Sequence, residues 1–118
     1  LPPSVTLFRE IEDAVLTPEE AVAIGLYLNE AVANACKYAF PEGATGTIAV
    51  FFNVNGDGWR FTIEDDGVGA DAFTDPGGGL GSQLLSAFAT QAQATHHGGP
   101  ILNGYRTEMR REDQSELA

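Results

Sequence analysis

The chain has 118 residues, of which 43% are hydrophobic, and it carries 17 acidic against 6 basic residues, a formal net charge of -11. This size suits one domain with a single core, and the acidic balance argues against a surface that binds a phosphate backbone, so nucleic acid is not an expected partner. The sequence shows no apolar run of membrane-spanning length and no secretory signal, and its single cysteine suits a reducing compartment. We therefore expect a cytoplasmic domain without direct membrane contact.

The first predicted elements are one or two edge strands in residues 4–16, followed by a long helix. Apolar residues alternate with polar ones at the start of this segment. Thr17 is suited to cap a helix, Pro18 fits the first helical position, and Glu20 lies three residues after the cap, as a capping box requires. The helix is predicted to continue for about six turns to Phe40, where a proline and a glycine follow.

This helix is predicted to have two distinct faces. At about 100° per residue, Glu30, Asn34 and Lys37 form a polar stripe that carries a carboxylate, an amide and the only lysine of the chain. A polar stripe alone is usually a solvated helix face, so its function depends on the rest of the sequence. A neighbouring apolar stripe is predicted to face the core and consists of Ile24, Leu28, Ala31, Val32, Ala35 and Ala39.

Residues 47–64 predict a β-hairpin that ends at a carboxylate. Both arms are rich in β-branched and aromatic residues, and the Asn-Gly-Asp-Gly sequence between them tolerates positive φ. In the second arm Trp59, Phe61 and Ile63 alternate with polar residues, so one face is expected to pack and the other to stay polar. This strand delivers Asp65 to a loop edge.

The segment after the hairpin is predicted to hold a mobile lid and a second helix. Residues 70–78 have little periodicity and are bordered by glycines, which suits a mobile segment. The helix begins at the glycine run, and its predicted course is traced by Leu80, Leu84, Ala87, Phe88 and Gln91.

Two further strands are predicted in residues 94–97 and 101–110, joined by a turn at residues 97–100. His96 and His97 would then lie next to a turn, as solvated or pairing residues rather than as metal ligands or phosphoacceptors. Residues 112–118 are expected to form a charged, frayed tail.

Two motifs near the end of the hairpin suit a nucleotide. Asp65 precedes Gly67 and Gly69, so a carboxylate that can accept a hydrogen bond from an exocyclic amine, such as that of adenine, lies beside backbone that permits close approach. The glycine run of residues 77–81 precedes a helix, whose unpaired amides and positive dipole end suit a phosphate. Each motif alone is weak, because acidic glycine turns and flexible glycine loops are common, and neither a Walker A motif nor a dinucleotide fingerprint is present.

In this order, the polar helix stripe and the two glycine motifs resemble the Bergerat-type ATPase domain shared by DNA gyrase, a heat-shock chaperone, mismatch-repair ATPases and sensor histidine kinases. Residues 28–41 resemble its N box, residues 65–69 its G1 box and residues 79–85 its G2 box. The sequence of the N box is most similar to that of a histidine-kinase subfamily with a short ATP lid. The resemblance implies an α+β two-layer sandwich whose mixed, mostly antiparallel β-sheet is covered on one face by helices, in a domain of residues 1–111.

The resemblance also implies ATP and Mg²⁺ as cofactors. Asn34 would coordinate Mg²⁺, Lys37 would lie near the phosphates, Tyr38 would lie against the adenine, and Asp65 would bind its amino group. Glu30 takes the position of the general base in related hydrolases and would be the catalytic residue, orienting or deprotonating the attacking imidazole. The remaining residues implied in nucleotide binding are Gly67, Gly69, Gly79, Leu80 and Gly81.

The function implied is that of the ATP-binding catalytic domain of a two-component sensor histidine kinase. The γ-phosphate would pass to a histidine on dimerisation helices, expected upstream in the same polypeptide, and a response regulator would be reached only indirectly. Those helices make the dimer in the resembled family, so the isolated domain is expected to be a monomer. Two alternatives stay open: an anti-sigma-factor-type serine kinase, whose N box also carries Glu-Ala-Val-x-Asn-Ala, and a catalytically silent docking domain. The chain departs from the family at Ser82 and at Gly104-Tyr105, where an apolar residue and Gly-Thr are common.

Overall fold

The computed structural model describes residues 4–40, 45–67 and 80–113. Within these ranges the strands and helices follow the order β1 (Val5–Ile11), α1 (Pro18–Asn34), β2 (Gly46–Asn55), β3 (Gly58–Asp65), α2 (Leu80–Gln91), β4 (Thr95–Ile101) and β5 (Gly104–Arg111). A π-helical turn, Ala35–Ala39, extends α1.

The five strands form one sheet in the order β1-β2-β3-β5-β4. The β1 and β2 strands are parallel, and the other three neighbouring pairs are antiparallel. The two helices pack against each other and bury one face of the sheet, which we call the helix face; the opposite side is the open face. The predicted α+β sandwich with a mixed, mostly antiparallel sheet is confirmed.

The edge strand β1 confirms the first predicted strand, but no second strand follows it. Residues 12–17 are irregular, and Val15 is fully exposed at 102%. The apolar pair at residues 15–16 was therefore a weak signal, because two adjacent apolar residues do not define a strand period.

The start of α1 is the predicted capping box. The Thr17 hydroxyl accepts the Glu20 amide at 3.1 Å, and the Glu20 carboxylate accepts the Thr17 amide at 2.9 Å. The other oxygen of Glu20 accepts the indole N–H of Trp59 on β3 at 2.8 Å. The cap therefore also fixes the helix to the sheet.

The buried stripe of α1 includes Ala31 and Ala35, as predicted, but before them it contains Ala23 and Tyr27 in place of Ile24 and Leu28. Tyr27 is fully buried, with its ring centroid 6.3 Å from that of Phe61, because its hydroxyl finds a hydrogen-bond partner in His96 at 2.7 Å. The periodicity of apolar residues did not predict that Tyr27 is buried, because this aromatic residue carries a polar hydroxyl. The buried positions are Ala23, Tyr27, Ala31 and Ala35, and the half-buried positions beside them are Ile24, Leu28 and Val32.

The β2–β3 hairpin is confirmed, with Gly56 at a φ of 63° in its turn. Its second arm buries Trp59, Phe61 and Ile63 as predicted. On the other side of this arm Thr62 is also buried, which the alternation did not predict.

The last predicted turn is in the wrong place. β4 continues through residues 97–100, and the chain reverses at Leu102 and Asn103, where Asn103 has a φ of 63°. Asn103-Gly104 is itself a strong hairpin signal, because asparagine and glycine tolerate positive φ. His96 and His97 therefore lie within a strand.

The second helix is confirmed, but its buried face differs from the predicted one. Leu85 and Ala89 are buried, and Ala92 follows them just past the helix end. The predicted apolar positions Leu84 and Phe88 are half-buried, and Ala87 and Gln91 are exposed. The predicted lid of residues 70–78 lies outside the described residues, as does most of the predicted tail.

Candidate functional site

The end of α1 carries the predicted polar stripe. Glu30 and Asn34 lie one turn apart and are both half-buried. Lys37 is exposed and follows in the π-helical turn, so the prediction of an α-helix of constant pitch to Phe40 is wrong. A π-helical turn is wider than an α-helical turn and is frequent at functional sites. Glu30 and Asn34 therefore share one stripe, and Lys37 follows them in the wider turn.

This turn is fixed to the sheet by Phe40. Phe40 is buried, and its ring occupies the space that a Cβ on Gly46 would need, so only glycine fits at the start of β2. The next residue, Thr47, donates its amide to the carboxylate of Asp66 at 2.7 Å. The end of the helix and the loop after β3 therefore meet at the first residues of β2.

Asp65, the last residue of β3, is a buried carboxylate on the helix face. It is 9% exposed, and its Oδ1 accepts the amide of Gly67 at 3.0 Å. Burial raises the pKa of Asp65 above its usual range and the charge of Asp66 adds to this, whereas hydrogen bonds from the backbone of Gly67 and Tyr105 oppose it. Two backbone amides thus hold the carboxylate in one orientation, and it retains further acceptor capacity.

The departure at Gly104-Tyr105 is accommodated next to Asp65. A Cβ on Gly104 would overlap the carbonyl oxygen of Asp65, so this position needs glycine. Tyr105 lies opposite Asp65 in the β3–β5 ladder, and its hydroxyl would be 2.9 Å from a Cβ on Gly98. Burial and the charge of Asp65 raise the pKa of Tyr105. The sequence analysis did not predict that Tyr105 lies beside the site. The available signal was that Tyr105 stands where the resembled family commonly has threonine after glycine.

Below the polar stripe, α1 is held to β4 by Tyr27 and His96. The Tyr27 hydroxyl and His96 Nδ1 are 2.7 Å apart, and the rings meet edge to face with centroids 5.6 Å apart. Burial and the neighbouring His97 lower the pKa of His96, so the imidazole is neutral at pH 7 and its Nδ1 can accept the phenol proton. His96 is therefore a pairing residue, and His97 is exposed.

The remaining predicted residues fall in three places. Tyr38 lies in the π-helical turn, and Leu80 and Gly81 are the first two residues of α2. Gly69 and Gly79 lie outside the described residues.

The described residues include no group of three or more His, Cys, Asp or Glu side chains that could hold a metal ion. A divalent cation here would depend on the amide oxygen of Asn34 together with oxygens of the ligand itself, which is how Mg²⁺ is commonly held at phosphates. In the same part of the chain, no helix is both long and apolar enough to cross a membrane.

A family model and a curated relative, compared with this chain, indicate the same family. The model of the histidine kinase-like ATPase domain family matches residues 4–106. The chain is 37% identical over 100 residues to blue-light-activated histidine kinase 2 of Erythrobacter litoralis, a match that covers 77% of this chain and 29% of that protein.

Two solved structures share the fold. The histidine kinase domain of the blue-light-activated histidine kinase EL346 of Erythrobacter litoralis has a TM-score of 0.79 at 24% identity, covering 98% of this chain and 55% of that one. The histidine kinase AdeS of Acinetobacter baumannii has a TM-score of 0.70 at 16% identity, covering 91% and 53%. The chain thus spans under a third of the curated relative and about half of the solved chains.

Proposed function

Since the chain belongs to the family of histidine kinase-like ATPase domains, we propose that it is the ATP-binding catalytic domain of a two-component sensor histidine kinase. Membership of an ATPase family implies ATP as the nucleotide. The observation that carries the proposal is the buried Asp65, oriented by two backbone amides and linked through β2 to the end of α1.

Asp65 binds the adenine in this proposal. Its carboxylate accepts a hydrogen bond from the exocyclic amino group, which guanine lacks at that position. The orientation of the carboxylate is supported by the Gly67 amide at 3.0 Å, and its burial strengthens hydrogen bonds made to it. Tyr38 lies against the adenine, and Gly67, Gly69, Gly79, Leu80 and Gly81 line the nucleotide.

Asn34 and Lys37 act on the phosphates. Asn34 offers an amide oxygen from the last residue of α1, which suits a hard cation, and Lys37 follows in the wider turn with a positive charge. Bound Mg²⁺ would neutralise charge on the phosphates. Phosphoryl transfer depends mainly on such positioning and electrostatics, so this domain needs no covalent chemistry of its own.

Glu30 is the proposed catalytic residue. It lies one turn before Asn34 on the same helix and is half-buried, which supports a role for its carboxylate beside the proposed metal ligand. There it orients or deprotonates the attacking imidazole. The phosphoacceptor histidine belongs to partner dimerisation helices, expected in the same polypeptide, and the response regulator receives the phosphate from that histidine.

The names of the relatives favour this function over the alternatives. Blue-light-activated histidine kinase 2 and both solved proteins are histidine kinases by name. An anti-sigma-type serine kinase and a silent docking domain have no comparable support.

Two substitutions separate chemistry from binding. Glu30→Gln keeps the shape but removes the basicity, so nucleotide affinity is expected to change little while transfer to a histidine-bearing domain supplied in trans falls by roughly 10² or more. The matched variant Asn34→Asp alters the metal ligand and is expected to weaken Mg²⁺-nucleotide binding itself. Calorimetry and a transfer assay on both variants make the test. Transfer at the wild-type rate by Glu30→Gln would show that Glu30 is only a solvated helix residue.

A further inference from the structure

The open face of the sheet holds an unusual share of the positive charge of this acidic chain. Arg60, Arg106 and Arg110, three of the six basic residues, project from β3 and β5 on that face, among them only Glu64 and Glu108. We call this group of five side chains the arginine face. It lies on the side of the sheet opposite Asp65 and the helices.

The arginine face is ordered by ion pairs. Arg106 Nε lies 2.7 Å from Glu64 Oε2, and Arg110 Nη2 lies 2.9 Å from Glu108 Oε1. Arg60 Nε is farther from the same Glu108 oxygen, at 3.8 Å. The Glu108 side chain is only 11% exposed although no helix covers it. The long arginine side chains therefore lie over the sheet and are held in place.

A depression of about 370 Å³ opens beside these arginines. Its floor is Gly99, where an added Cβ would meet nothing within 4 Å. Ordinary side chains at this point of β4 would fill the space. The residues that line it on the open face are His97, Gly99, Ile101, Arg106, Glu108 and Arg110.

One donor at the depression has no acceptor. Arg110 Nε is buried and makes no hydrogen bond to the described residues. A buried guanidinium N–H without an acceptor is costly, and such groups in folded proteins usually have a partner. An acceptor that reaches this N–H would remove that cost.

We propose that the arginine face is a docking site for an acidic, extended peptide segment of a partner protein, with carboxylates that pair with Arg106 and Arg110 at the two ends of the depression. Arginine forks suit carboxylates, and most of the remaining surface of a chain with 17 acidic residues repels such a segment. Arg106 and Arg110 are four residues apart on one strand, about 13 Å, which exceeds the reach of a single small anion.

The test uses the 118-residue chain labelled with ¹⁵N and titrated at low ionic strength with an acetylated, amidated hexaglutamate peptide. Amide shifts are expected in residues 97–101 and 106–110, and they should weaken with salt. Hexalysine is the control peptide and should not shift these amides.

Three variants locate the binding. Arg110→Gln should weaken hexaglutamate binding about tenfold, the scale of one charge-assisted hydrogen bond. Gly99→Val fills the depression with a strand-compatible residue, so it should abolish peptide binding and leave ATP binding unchanged on the other face. Arg9→Gln removes the same charge from an exposed position on the opposite edge strand β1 and should change peptide affinity less than twofold.

Four results would overturn the proposal. These are the absence of shifts at these amides, an equal loss of affinity in Arg9→Gln, and binding of inorganic phosphate to the same amides with the same affinity, which would indicate a small-anion site. The fourth is concentration-dependent self-association through this face, seen by light scattering.

Discussion

Asp65 is the residue at which stability and proposed function oppose each other. The fold buries this carboxylate to 9% exposure, and burial raises its pKa. The backbone amides of Gly67 and Tyr105 offset only part of that penalty. A buried, oriented carboxylate is nevertheless what recognition of an amino group requires, and such functional groups are commonly kept at the expense of stability.

Replacement of Asp65 by Asn should therefore stabilise the apo domain at pH 7 while weakening ATP binding. The amide oxygen can still accept the Gly67 amide, and the buried charge is gone, so a gain of about 0.5–2 kcal/mol is expected. The folded pKa lies above the unfolded value of 3.8, so the ionised carboxylate costs stability above the folded pKa, and the cost fades as the pH falls towards 3.8.

Urea unfolding of Asp65→Asn and wild type at pH 7 and at pH 4 measures this difference, which should be smaller at pH 4. Glu10→Gln, which removes the same charge from an exposed position on the edge strand β1, is the control. A loss of stability in Asp65→Asn at pH 7 would refute the role given to burial.

His96 gives a second prediction at this scale. Its pKa is lowered by burial and by His97, so the unfolded chain binds a proton more readily than the folded one. Stability is therefore complete above the ordinary value of 6.5 and is lost as the pH falls below it towards the folded pKa. Unfolding free energies measured between pH 7.5 and 5.5 should decline, and His96→Gln should flatten this decline. The exposed His97→Gln should retain it; if both variants behave alike, the Tyr27–His96 bond is not the cause.

At the scale of the element, the start of α1 could be predicted from the sequence, whereas the geometry of its other end could not. Thr17, Pro18 and Glu20 predicted its start correctly, because a cap depends on residues within four positions of one another. At its other end, the π-helical turn is followed by Phe40, which packs against Gly46 across the chain, and no local pattern reports that contact. Tyr27 was missed for the same reason, since its partner His96 is 69 residues away.

Of the two carboxylates in the first turn of α1, Glu20 is the one whose removal should destabilise the fold more. Burial opposes its ionisation, but hydrogen bonds from Thr17 and Trp59 and the charge of Arg111 outweigh this and lower its pKa. Glu20→Ala removes the carboxylate half of the capping box and leaves the Trp59 indole without its acceptor, so a loss of about 1–3 kcal/mol is expected in urea unfolding. Glu19→Ala, an exposed neighbour, should change stability by less than about 0.5 kcal/mol. Equal effects of the two substitutions would contradict the bridging role of Glu20.

The two hairpins show when the position of a turn can be predicted from the local sequence and when it cannot. The β2–β3 turn was predicted from its glycines and confirmed at Gly56. The β4–β5 turn was placed on Gly98-Gly99, but these glycines serve tertiary needs: Gly98 makes room for Tyr105, and Gly99 leaves the depression on the open face. A glycine read from sequence alone does not reveal which of these needs it meets.

At the scale of the whole molecule, the sheet separates two surfaces with different chemistry. The helix face holds the core and Asp65, and the open face carries the ion pairs of the arginine face. The fold class followed from the resemblance of the three motifs, in their order along the chain, to a known family. The distribution of charge between the faces did not follow, since it depends on strand register. The domain boundary at residue 111 and the roles of the site residues stay predictions.

The most direct measurement for the proposed nucleotide site is calorimetry of the 118-residue chain with ATP, ADP and GTP, with and without Mg²⁺. We predict Mg²⁺-dependent binding of ATP and ADP, little binding of GTP, and a marked loss in Asp65→Asn, because an amide can present a donor to the adenine amino group. Equal affinity for GTP would contradict the role of Asp65, and no nucleotide binding at all would leave only a docking domain of the same fold.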